Sequence, residues 1–108
     1  MGRVTNQRVI IPGLGERATG LIVEALKKVP EVEAAVLFGS RALGTYSPGS
    51  DVDIALKGRG INQGLCIRLS GLLNEELPLA WHFDVVHYDQ LSNEALREHI
   101  DRVGLRII

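Results

Sequence analysis

The chain has 108 residues, 45% hydrophobic and 23% charged, with a formal net charge of −1. That fits one globular domain, and it argues against disorder and against a protein built around a basic stripe for gripping nucleic acid. The single cysteine, Cys66, allows no internal disulfide and suits a reducing cytoplasm.

No apolar run approaches the length of a membrane span, and the N-terminus lacks the basic-then-apolar pattern of a signal peptide. Met1-Gly2 opens like a myristoylation motif, but Asn6 stands where Ser or Thr is required. Residues 1–13 show no periodicity and read as an N-terminal arm that frays or adds an edge strand. The single domain is expected over residues 14–108.

From Leu14 the pattern is helical: Leu14, Ala18, Leu21, Ile22, Ala25, Leu26 and Val29 share one face, and Pro30 ends the segment. Val32 to Phe38 reads as a buried strand stopped by Gly39. Ser40 is a candidate N-cap for one turn through Leu43, with Gly44 as its stop and Pro48-Gly49 marking a loop. Asp51 to Leu56 alternates, with Val52, Ile54 and Leu56 on one side and Asp51, Asp53 and Ala55 on the other.

Ile61 to Leu77 is again helically spaced, with Asn62 as a cap. Trp81 to Val86 alternates as a third strand that places His82 and Asp84 on its less apolar side. Ser92 is a candidate cap for a last helix through Val103. The tail Leu105-Arg106-Ile107-Ile108 is apolar where chain ends are usually polar, and it predicts an association surface. The order α-β-α-β-α-β-α predicts an α/β (α+β) fold: a small mixed sheet of three to four strands with helices packed on it.

The chemistry gathers between residues 38 and 54. Asp51 and Asp53, two apart on a strand, share a face about 6.6 Å apart, where two carboxylates repel unless a cation lies between them. Mg²⁺ suits such a site, using one or two carboxylates plus substrate phosphates. Asp84, on the less apolar side of its strand, is the candidate third carboxylate of a cluster able to hold two ions. Gly39 lets backbone approach a ligand, and a helical turn starting at Ser40 offers N–H groups and a hydroxyl to a phosphate. Arg41 is a candidate phosphate contact. If the strands flanking this loop pair antiparallel, turn and aspartates meet at one end of the sheet.

Other residues read as scaffold. An Asp-x-Asp of phosphatase type ends a buried strand, whereas this pair begins one. His82 reads as polar surface, His87 and His99 have no supporting pattern, and Cys66, Trp81 and Phe83 read as core.

Gly39-Ser40, ten intervening residues and Asp51-Val52-Asp53 resemble the signature of the DNA polymerase beta-like nucleotidyltransferase superfamily. The fuller string Phe38 to Asp53 is similar to its minimal nucleotidyltransferase (MNT) branch. The resemblance implies that Gly39 and Ser40 hold the nucleotide's phosphates, that Asp51 and Asp53 coordinate Mg²⁺, and that Asp84 lies near the acceptor hydroxyl. Family members commonly carry a second basic residue where this chain has Leu43.

Larger relatives have a further domain for base and acceptor, which the minimal branch lacks. That branch is often paired with a helical HEPN-domain protein as a toxin–antitoxin system, transferring AMP from ATP to a tyrosine of the partner. The expected ligand is ATP or another NTP, and the expected partner is HEPN-type, with homo- or hetero-oligomers. A competing reading is a binding module that neutralises a partner by contact alone. A third is a solvated acidic loop on an unrelated α/β domain.

Overall fold

The computed structural model describes residues 9–108; the first eight positions of the expected arm lie outside the described residues. Ten elements follow. They are α1 (Gly15–Lys27), β1 (Ala34–Phe38), α2 (Gly39–Leu43), β2 (Val52–Lys57), α3 (Gln63–Gly71), a π-helical turn (Leu72–Glu76), β3 (Phe83–His87), a 3₁₀ turn (Tyr88–Gln90), α4 (Glu94–Val103) and β4 (Leu105–Arg106).

The four strands form one mixed sheet in the order β3-β2-β1-β4. β1 runs antiparallel to β2, with Phe38 opposite Asp53. β2 runs parallel to β3, with Asp53 opposite Asp84, and α3 with its π-helical turn makes the crossover that a parallel pair requires. The predicted mixed α/β architecture and the antiparallel pairing of the first two strands are both present.

Strand alternation divides the sheet into two faces. Ala35 and Leu37 of β1, Val52, Ile54 and Leu56 of β2 and Phe83 of β3 belong to the larger core, together with Ile22, Val23 and Leu26 of α1 and Leu65 and Leu69 of α3. Each fully buried Leu or Ile contributes roughly 1.5–3 kcal/mol. On the other face Val36, Phe38 and Ala55 pack against Ile100 of α4, with Val86, Tyr88 and Leu96 at the margin.

Helix ends follow side-chain chemistry. Asn62 caps α3 by accepting the Leu65 N–H at 2.8 Å. On α4 the cap is Asn93, accepting from Leu96 N–H at 3.0 Å, rather than Ser92. The difference is one residue of register between two good capping side chains.

Two further details depart from the sequence expectations. Ile11, assigned to the arm, is fully buried, and its N–H donates to Thr19 Oγ1 at 3.0 Å; among the described residues of the arm Val9 and Ile10 stay exposed and none forms a strand. Leu105 and Arg106, expected as an association surface, pair antiparallel with Leu37 and Val36 as β4, and Ile107 is buried behind them. The apolar tail is used within the chain because the outer edge of β1 has backbone groups to satisfy.

At the opposite edge, Asn74 of the π-helical turn receives the Phe83 N–H on Oδ1 at 2.7 Å. It donates Nδ2 to the Phe83 carbonyl at 2.9 Å. A side-chain amide thus stands where a neighbouring strand's peptide would be.

Candidate active site

The second sheet face carries two rows of side chains across three strands. One row is Val36, Ala55 and Val86; the next is Phe38, Asp53 and Asp84. The pleat that puts Val52 and Ile54 into the core turns Asp53 outward, and parallel register sets Asp84 beside it. Neighbouring strands lie about 4.8 Å apart, so the two carboxylates face the same space. Asp51, one position before β2, is exposed and, by alternation, belongs to the side of Asp53.

Gly39 joins this row to the turn that opens α2. It follows Phe38, the register partner of Asp53, and has φ +75°, a left-handed backbone that favours glycine. A Cβ built there would overlap the Asp53 carboxylate. The Gly39 N–H donates to His99 Nε2 at 3.0 Å. Helix geometry then leaves the N–H groups of Ser40 and Arg41 without an intrahelical acceptor at the start of α2. Gly44, φ +85°, ends the helix, and the Gly44 and Thr45 N–H groups both return to the Ser40 carbonyl.

Arg41 is placed differently from the sequence expectation. Its side chain is buried, 1% exposed. Nε and Nη2 donate to the Ser50 carbonyl at 3.3 and 2.9 Å. Nη2 also reaches the Pro48 carbonyl at 3.3 Å, and Nη1 donates to the Pro12 carbonyl at 2.8 Å. The guanidinium lies 4.8 Å from the centre of the Tyr46 ring. These contacts tie the loop ahead of Asp51 to the segment before α1. The planar fork of donors that suits phosphate suits three converging carbonyls equally well.

The electrostatics follow from this crowding. Burial pushes the Asp53 carboxyl above its ordinary value of 3.8, the charges of Asp84 and then Asp51 push it further, and His82 and His99 oppose the shift. Among the described residues, no group of three or more His, Cys, Asp or Glu side chains is placed to hold a metal ion by itself. An all-oxygen donor set whose members repel one another fits a hard divalent cation that takes its remaining ligands from phosphate and water, as Mg²⁺ does.

The remaining candidates are dispersed. His82 is exposed, while its carbonyl accepts the Val52 N–H at 2.9 Å. Phe83 is core and Trp81 packs partly against it. Cys66 is buried and unpaired, and burial raises its thiol pKa. Leu43 is exposed. His87 lines a cavity of about 590 Å³ with Ile61, Cys66 and Val85, by alternation on the sheet face opposite to Asp84. Neither of its buried ring nitrogens has a hydrogen-bond partner among the described residues.

His99 is the residue that sequence reasoning passed over. It meets Gly39 across 60 positions of sequence, and its ring stands edge-on to Phe38, centroids 6.2 Å apart at 81°. The one local signal is its place beside Ile100, at the margin of the buried stripe of α4.

The polymerase beta nucleotidyltransferase family model matches residues 21–108, and the chain belongs to that family. Its fold is also that of solved toxin–antitoxin structures. A toxin–antitoxin structure with AMP-PNP superposes with a TM-score of 0.67 at 22% identity, over 88% of this chain and 73% of the other. The complex of the tri-AMPylated HEPN toxin of Shewanella oneidensis with its MNT antitoxin gives 0.65 at 19% identity, over 85% and 70%. A mutant MntA–HpeT toxin–antitoxin structure gives 0.67 at 18% identity, over 83% and 71%. No curated protein matches the chain. Among the described residues no helix is long and apolar enough to cross a membrane.

Proposed function

We propose that this chain transfers a nucleoside monophosphate, AMP from ATP, to a hydroxyl acceptor, a tyrosine on a helical HEPN-type partner, as the cytoplasmic antitoxin of a toxin–antitoxin pair. The observation that carries the reading is the contact of Gly39 with Asp53, level with Asp84 on one sheet face. It joins an anion-binding turn to paired carboxylates. Family membership supports nucleotidyl transfer. The AMP-PNP and tri-AMPylated HEPN structures, whose fold this chain shares, support the choice of nucleotide and partner.

In this reading Gly39 shapes the turn, and the Ser40 N–H and hydroxyl bind phosphate oxygens. Arg41 contributes its backbone N–H and the loop it anchors. Asp51, Asp53 and Asp84 would hold Mg²⁺, two ions in turnover, which supplies charge neutralisation at the triphosphate. Asp84 lies near the acceptor hydroxyl and receives its proton. The acceptor oxygen bonds to the α-phosphorus, the bond to the bridging oxygen of the β-phosphate breaks, and pyrophosphate leaves with that electron pair.

The test is label transfer from ATP to the helical partner in Mg²⁺, with wild type, Asp51→Asn and Asp53→Asn. Label on the partner with wild type only is the expected result. No label with any chain, or equal label with the mutants, defeats the proposal. Full neutralisation of the partner by both mutants would favour action by contact alone.

A further inference from the structure

We propose that His99 is a positioning residue for the phosphate turn: by accepting the Gly39 N–H it fixes the backbone from which Ser40 meets a triphosphate. The inference rests on the nucleotidyl-transfer reading and assigns that site a residue outside the Gly-Ser and Asp-x-Asp signature.

A glycine in left-handed conformation at a strand-to-helix junction has no side chain to anchor it, and glycine surveys more backbone conformations than any other residue. Gly39 is held from two sides. Its Cα lies against the Asp53 carboxylate so closely that no Cβ fits, and its N–H is taken by His99 Nε2. The first contact forbids motion toward β2. The second directs the peptide between Phe38 and Gly39, and with it the orientation of the next N–H groups.

His99 is itself fixed. Its ring stands edge-on to Phe38, and the following residue, Ile100, is 2% exposed beneath α4. The helix is held over the sheet by Arg97 Nη1 donating to the Tyr88 carbonyl at 3.1 Å and by the Tyr88 hydroxyl donating to Asp101. Because Nε2 already accepts from Gly39, a neutral ring carries its proton on Nδ1. His99 therefore acts through the turn, and the Ser40 and Arg41 N–H groups remain for the ligand.

The test uses the whole chain with inorganic triphosphate as probe. In ¹⁵N-labelled wild type, a coupling across the N–H···N bond between Gly39 and His99 is expected. It should persist when triphosphate and Mg²⁺ are added, while the Ser40 amide shifts. Loss of one positioned hydrogen bond corresponds to about a tenfold change. His99→Phe, which keeps an aromatic ring beside Phe38, should weaken triphosphate binding by about that factor and speed Gly39 amide exchange. His99→Gln, whose Oε1 can accept the same N–H, should recover most of both.

Absence of the coupling in wild type, or its loss on triphosphate binding, overturns the proposal without any variant. So does a folded His99→Phe that binds triphosphate as tightly as wild type. A wild-type chain that binds neither triphosphate nor ATP overturns the functional reading and this proposal together. Wild-type binding with an indifferent His99→Phe overturns this proposal alone.

Discussion

Two rows of side chains on one sheet face, a single pleat apart, have opposite characters. Val36, Ala55 and Val86 lie under α4 in an apolar layer, whereas in the next row only Phe38 stays in that layer, Asp53 is half-buried and Asp84 is exposed. The strands and their pairing are shared, so backbone geometry does not separate them. What separates them is how far across each row α4 covers: Ile100 packs on Val36, Ala55 and Phe38, His99 meets Phe38 and the Gly39 N–H, and Asp53 and Asp84 lie outside that apolar cluster. A pair of carboxylates can thus sit beside a core row on the same sheet face where the helix's apolar cover ends.

The most severe way to break this contrast is to extend the acidic row under the helix. Ala55 is fully buried, and Ala55→Asp would place an unpaired carboxylate there at a cost of about 3–5 kcal/mol. The expected outcome is a chain that is largely unfolded by circular dichroism at 37 °C. A stable fold would mean that α4 is displaced easily and the apolar row is not closed.

Removing charge from the open row should act on chemistry. Asp53→Asn is expected to lower AMP transfer by about 10²–10³-fold, the scale of losing one electrostatic contact to a transition state. Thermal unfolding of the same variant should move up, because burial and the neighbouring Asp84 and Asp51 charges disfavour the ionised Asp53 carboxyl. A lower melting temperature would mean that the carboxylate is satisfied in the free protein.

Arg41 sharpens the comparison from outside the two rows. Arg41→Met keeps length and removes donors from the carbonyls of Pro12, Pro48 and Ser50. Leaving those groups unpaired is expected to cost roughly 2–4 kcal/mol, seen as a lower urea midpoint. If nucleotide binding weakens with the urea midpoint unchanged, the guanidinium serves phosphate after all.

The smallest effect is on pH. The folded Asp53 carboxyl has a pKa raised above 3.8, so the folded chain binds more protons than the unfolded one between 3.8 and that raised value. Asp53 therefore makes stability fall as pH rises through this window. The difference in unfolding free energy between wild type and Asp53→Asn should shrink as pH is lowered toward 3.8, and Mg²⁺ should shrink it at neutral pH. A difference independent of pH would contradict the stated cause.

Much of the site was legible because its signals are local. The alternation of Asp51, Val52, Asp53 and Ile54 fixes which side chains share a face, and Gly39-Ser40 at the end of an apolar run marks a turn with free N–H groups. Antiparallel pairing then brings the two together, as found for Gly39 and Asp53. What escaped is non-local. His99 reaches the candidate site through a hydrogen bond to a residue 60 positions away, and nothing in its own helix announces that partner.

Arg41 is placed differently for a related reason: an arginine after Gly-Ser suits phosphate, and only the folded loop reveals three carbonyls converging on it. The two-residue β4 is too short for any alternation to show. Its role is set by the vacant side of β1.

The amide of Asn74 against Phe83 has a further consequence. A sheet whose outermost strands stayed bare would invite other chains to add to it. Here one flank ends on the molecule's own C-terminal strand and the other begins behind a carboxamide that mimics a peptide. Asn74 occupies the Phe83 end of the β3 flank, so Asn74→Leu, nearly equal in bulk but unable to pair, should raise light scattering on standing relative to wild type.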